Sequence, residues 1–224
     1  MSERGSGDVW SAAAAPGSGR EAGGDRWLAR PLAGGASLCA VADSEAGSVS
    51  EVALAALHRH LAEASDPLDR GLHQAAAAAV GDALAAIAEG TRASMAWVTV
   101  TDGGALFGWL GHCRVGRLRA GGLTWLTRDH SLAEQLLLEE QLTPAEARDH
   151  PCRKVLVRSF GVDREADVVA LDPRPGDALV LCTDGVYDAL ADAQIALVAA
   201  GGAEALVAAA ASGGAGRAAV LVRP

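Results

Sequence analysis

Ser94-Met-Ala-Trp-Val-Thr-Val-Thr101, Ala105-Leu-Phe-Gly-Trp-Leu-Gly111, Cys113-Arg-Val-Gly-Arg-Leu-Arg119 and Leu123-Thr-Trp-Leu-Thr127 follow one another with hardly a break. Apolar, β-branched and aromatic residues recur along them at the two-residue period of a strand. Asp102-Gly103-Gly104 and Ala120-Gly121-Gly122 separate them as hairpin signals, because tight turns favour residues that accept positive φ. The segments predict an antiparallel meander.

Before the meander, Ser37-Leu-Cys-Ala-Val-Ala-Asp43 reads as a buried strand that delivers Asp43 to its tip. Ser48 and Glu51 have capping-box spacing, and Val52, Leu54, Leu57 and Leu61 then recur at helical intervals. A second helix is expected from Pro67 to Glu89, opened by proline in the first turn. After the meander, helices are expected at 130–140 and 143–150, and strands at Lys154–Ser159, Val168–Leu171 and Ala178–Cys182. Short helices and a last strand, Ala218–Val222, complete the pattern. Helices on both sides of a strand-rich middle predict an α+β layered domain.

The chain has 224 residues, and half are hydrophobic. By size scaling, about 70% of the unfolded surface leaves water on folding, which supports a core without disulfides or structural metal. Residues 1–17, rich in Gly, Ser and Ala, read as a flexible lead-in, with Val9 and Trp10 as candidates for an edge strand, and 18–224 as one domain. A net charge of −9 without a basic run argues against nucleic acid and against anionic membrane surfaces. No stretch is apolar enough to span a bilayer. Cys39, Cys113, Cys152 and Cys182 form no CxxC, which fits a reduced, cytoplasmic protein. His58, His60 and His73 read as solvated histidines, since helix residues two apart do not share a face.

Leu126-Thr-Arg-Asp-His-Ser-Leu132, Leu142-Thr-Pro-Ala-Glu-Ala-Arg-Asp-His-Pro151 and Pro175-Gly-Asp-Ala-Leu-Val-Leu-Cys-Thr-Asp-Gly185 occur in close succession. With Val41-Ala-Asp-Ser44 and Gly111-His-Cys-Arg114, they resemble bacterial members of the metal-dependent protein phosphatases (PPM, the type 2C serine/threonine phosphatases). The resemblance runs from about Gly19 to Val222. It implies a four-layer αββα sandwich, two antiparallel sheets flanked by helix pairs, and hydrolysis of phosphoserine and phosphothreonine with two Mn²⁺ or Mg²⁺ ions. Two such ions about 4 Å apart repel by roughly 17 kcal/mol at an effective dielectric near 20, so several carboxylates must converge on them.

Carried over residue by residue, the resemblance assigns phosphate binding to Arg20, the bridging metal ligand to Asp43 and a first-metal ligand to Asp184. Asp25 is the outer-shell carboxylate, and Ser44 stands where a glycine ligates through its backbone carbonyl. Four positions are degenerate. Gly24 stands where a second-metal glutamate belongs, and Gly216-Arg217 where the family has Asp-Asn. His112 replaces an aspartate that serves an accessory metal, and at a strand end it reads as a structural residue. Glu45 occupies the place where some members have a proton-donating histidine. Two of the four direct carboxylates remain, with the Arg217 cation beside the gap, so metal binding is expected to be weak or mononuclear. Two functional readings follow. One is a catalytically impaired phosphatase-like domain that binds a phosphoprotein, a kinase or another signalling protein. The other is a working, slow Mn²⁺-dependent phosphatase.

Overall fold

A computed structural model describes residues 2–4, 10–17 and 24–224. All strand pairings in it are antiparallel. One sheet runs β1 (Ser2–Arg4), β2 (Trp10–Ala15), β11 (Arg217–Val222), β10 (Ala178–Cys182), β7 (Arg114–Arg119) and β8 (Gly122–Trp125). The other runs β3 (Arg26–Pro31), β4 (Ser37–Ser44), β5 (Ala93–Thr101), β6 (Gly104–Leu110) and β9 (Asp167–Leu171). Helices α1 (Gly47–Leu61) and α2 (Arg70–Ala85) cover the second sheet. Helices α5 (Asp184–Tyr187), α6 (Asp192–Val198) and α7 (Ala203–Ala209) cover the first. Helices α3 (Leu132–Leu138) and α4 (Pro144–Asp149) follow β8. This is the expected αββα sandwich.

The central strands are apolar almost throughout because both of their faces are covered. Along β4, Cys39 and Val41 pack between the sheets with Val98, Phe107, Leu179 and Val220. The alternate residues Leu38, Ala40 and Ala42 face Leu54, Leu57, Leu61, Val80 and Leu84 of the two long helices. On the other outer face, Val180 and Leu221 meet Val186, Ile195 and Leu206. Trp97 lies opposite Gly108, where a Cβ would collide with its indole ring, so the glycine makes room for the tryptophan.

Several expectations change. The lead-in does not end at residue 17: β2 pairs along its length with β11, and Ala12 and Ala13 are buried. The first helix has no side-chain cap, and Ser44 Oγ instead bonds Ala46 O and Ser50 Oγ. The second helix begins at Arg70, capped by Asp69. Residues 154–159 form no strand; a 3₁₀ turn, Pro151–Lys154, leads into an irregular segment tied by single bridges. His73 is fully buried, not solvated. Its Nδ1 accepts from Trp97 Nε1 at 2.8 Å, which leaves Nε2–H to donate to Pro67 O. Trp97 and Trp109 are core residues, whereas Trp125 is half-buried and donates to Asp192.

Candidate active site

Asp43 closes β4 of one sheet, and Asp184 follows β10 of the other. His112 lies in the turn between β6 and β7, where the chain crosses from one sheet to the other. The three side chains meet at the shared ends of the sheets, with ligand atoms all within 4.8 Å of one another. His112 Nε2 lies 3.7 Å from Asp43 Oδ2 and 3.8 Å from Asp184 Oδ2.

The turn carrying His112 is anchored on several sides. Gly111 takes φ +98°, a conformation that favours glycine, and its N–H donates to His130 Nδ1 at 3.0 Å. His112 N donates to Ser94 Oγ, and Tyr187 Oη donates to His112 O at 2.8 Å. The imidazole is therefore placed by its backbone.

Asp184 has a close cationic partner. Lys154 Nζ lies 2.8 Å from Asp184 Oδ2 and 2.8 Å from Asp188 Oδ2, and Arg153 also bonds Asp188 at 2.6 Å. Partial burial opposes the ammonium charge, but bonds to the two carboxylates outweigh it and raise the Lys154 pKa. Sequence reasoning missed this residue. The expected cation, Arg217, turns elsewhere: its guanidinium donates to Val207 O and Ala215 O. Burial pushes the Cys113 thiol well up, and the negative field of Asp43, Asp25 and Asp184 adds to the effect.

The degenerate positions are closed by packing. A Cβ on Gly24 would collide with the carbonyl oxygen of Ser44, so the backbone occupies the space where a glutamate would begin. A Cβ on Gly216 would meet the buried carboxylate of Asp25. Glu45 is exposed at the rim of a cavity of about 390 Å³ lined also by Asp43, Ser44, His112 and Lys154. Arg20 lies outside the described residues. Among the described residues two carboxylates converge, fewer than a pair of divalent ions needs to offset its repulsion, and one of them bonds an ammonium. A single ion does fit the Asp43–His112–Asp184 set.

No family model matches the chain. The protein phosphatase PhpP of Streptococcus pneumoniae is 33% identical over 100 residues, 44% of this chain and 41% of the relative. The serine/threonine phosphatase PstP/Ppp of Mycobacterium tuberculosis superposes with a TM-score of 0.84 at 27% identity, over 95% of this chain and 96% of that one. The chain is a homologue of the PPM-type (PP2C) serine/threonine phosphatases. A structure of the PstP catalytic domain with two manganese ions also aligns, with a TM-score of 0.79 at 26% identity over 95% of this chain and 96% of that one. The match to PhpP spans less than half the length of that relative. Among the described residues, no helix is long and apolar enough to cross a membrane.

Proposed function

We propose that this PPM homologue is a catalytically impaired phosphatase that works in the cytoplasm by binding a phosphoprotein, a kinase or another signalling protein. The observation that carries the reading is that only Asp43 and Asp184 bring carboxylates together here among the described residues. A dinuclear centre needs several carboxylates to offset the repulsion of its ions. Here one of the two converging carboxylates is already neutralised from within the chain. Gly24 and Gly216, both packed against neighbouring groups, offer no replacement.

The surroundings suit recognition of a polar protein segment. A second cavity, about 680 Å³, opens beside the site and shares His112 and Lys154 with it. Arg114, Asp129, Arg153, Tyr187 and Asp188 line it. Its charges are already ordered: Arg114 forks onto Asp129 at 2.7 and 2.8 Å and lies 3.8 Å from the Tyr187 ring centroid. Ordered pairs lower the entropy cost of meeting a polar partner. Arg20, proposed as a phosphate ligand, would add a guanidinium fork for a phosphate without any metal.

The competing reading, a slow Mn²⁺-dependent phosphatase, draws on the convergence of Asp43 and Asp184. Turnover of a phosphothreonine peptide with Mn²⁺ separates the two, with Asp43→Ala and Asp184→Ala as controls. Our reading expects wild-type rates at the level of both variants. Robust turnover that either substitution abolishes replaces it with the hydrolase.

A further inference from the structure

We propose that Asp43, His112 and Asp184 form a single-ion site of mixed nitrogen and oxygen donors, selective for a borderline transition ion of the Zn²⁺ or Co²⁺ class over Mg²⁺. The proposal rests on the loss of the ion pair argued above and adds the identity of the ion that remains.

Geometry comes first. A tetrahedral ion with arms of about 2.0–2.1 Å sets its ligand atoms about 3.4 Å apart. The imidazole Nε2 stands 3.7 and 3.8 Å from the two carboxylate oxygens, only a few tenths of an ångström wider. Both carboxylates are partly accessible, so small rotations close the difference. The cavity that Asp43, Ser94, His112 and Lys154 line gives an ion a way in and leaves room for a water or phosphate oxygen as the fourth ligand.

Donor chemistry sets the preference. Mg²⁺ favours six hard oxygens in near-ideal octahedra, whereas imidazole suits zinc, copper, iron and nickel, and cobalt stands between iron and nickel in affinity. One nitrogen and two carboxylates fill three positions of a tetrahedral zinc site and offset a single double charge. His112 Nδ1 is buried with no hydrogen-bond partner among the described residues, so no hydrogen bond from the far side of the ring orients it. Three backbone anchors, at Gly111 N, His112 N and His112 O, nonetheless hold the ring with Nε2 toward the carboxylates.

Lys154 is the ion's built-in competitor. When an ion takes Asp184, the ammonium keeps Asp188 Oδ2, 2.8 Å away, so displacement does not strand the charge.

The test uses the untagged full chain, stripped of metal and dialysed separately against Zn²⁺, Co²⁺ and Mg²⁺. The expected result is one Zn²⁺ or Co²⁺ per chain, bound about 100-fold tighter than Mg²⁺. Visible Co²⁺ bands of low-coordinate intensity and a zinc-edge X-ray absorption signal from one imidazole should accompany it. His112→Ala, with folding checked by circular dichroism, should weaken Zn²⁺ at least tenfold, and His112→Asp should narrow the Zn²⁺ to Mg²⁺ ratio. A zinc-edge spectrum of oxygen ligands alone overturns the proposal without relying on any variant. One ion held with no preference for Zn²⁺ overturns it and leaves the impaired-phosphatase reading standing. Two ions per chain overturn both.

Discussion

Replacing Lys154 with methionine removes the ammonium from Asp184 and keeps most of the side chain's volume. Lys154 is 47% exposed on its side chain, so its pair with Asp184 is worth about 1 kcal/mol. An arriving ion must first break that pair. The ammonium then remains on Asp188, close enough to an ion on Asp184 to repel it. In a mostly aqueous dielectric, a single charge and a double charge about 6 Å apart repel by about 1.4 kcal/mol. Together these terms come to about 2.4 kcal/mol, or about 60-fold in affinity. Isothermal titration of metal-free wild type, Lys154→Met and Lys154→Arg with Zn²⁺ reads the effect. Methionine should tighten binding about 60-fold at low salt, less at high salt, while arginine leaves it near wild type. An affinity for Lys154→Met within twofold of wild type refutes the idea that Lys154 competes for the site.

Gly24→Ala pushes a methyl against the Ser44 carbonyl, and overpacking of this kind costs about 1–3 kcal/mol, visible as a lower thermal midpoint. A midpoint equal to wild type contradicts the close approach. The Arg119 fork, at 2.6 Å on both oxygens, holds Asp177 down at about 2. A carboxylate with a depressed folded pKa adds stability above its unfolded value, near 4, and loses it as pH falls toward 2. Asp177→Asn should therefore lower the midpoint by a few degrees at pH 7 and hardly at all at pH 2. An equal loss at both pH values contradicts this account. Burial lowers the His73 pKa, so the unfolded chain takes up that proton first and stability falls as pH drops below about 6.5. His73→Gln should flatten part of that slope while His130, also lowered mainly by burial, keeps the rest. An unchanged slope contradicts the assignment.

The layered fold was legible because burial on both faces leaves long apolar runs and the hairpin turns need glycine. Gly121, for instance, takes φ +78°. The β2 strand was less legible, since the run Ala12–Ala15 carries little strand preference of its own and is held by its pairing with β11. Around Lys154–Ser159, local pattern misled: the apolar run Val155–Val157 is real, but His130 and Leu132 bind its backbone only at isolated points. The site divides in the same way. Asp43 and Asp184 lie at strand tips that the sequence marks. His112 lies in a crossover turn whose aim depends on Ser94, His130 and Tyr187 from three other segments. Lys154 could not be read at all, because only tertiary folding carries it across to Asp184.

The central claim, that this pocket lacks the anionic oxygen to seat two divalent ions, is tested most directly by counting manganese. Metal-free protein is equilibrated with excess Mn²⁺, and bound metal per folded chain is measured by equilibrium dialysis. The account predicts one ion or fewer at every concentration below nonspecific binding. Saturation at two ions per chain, lost on Asp43→Ala, contradicts it.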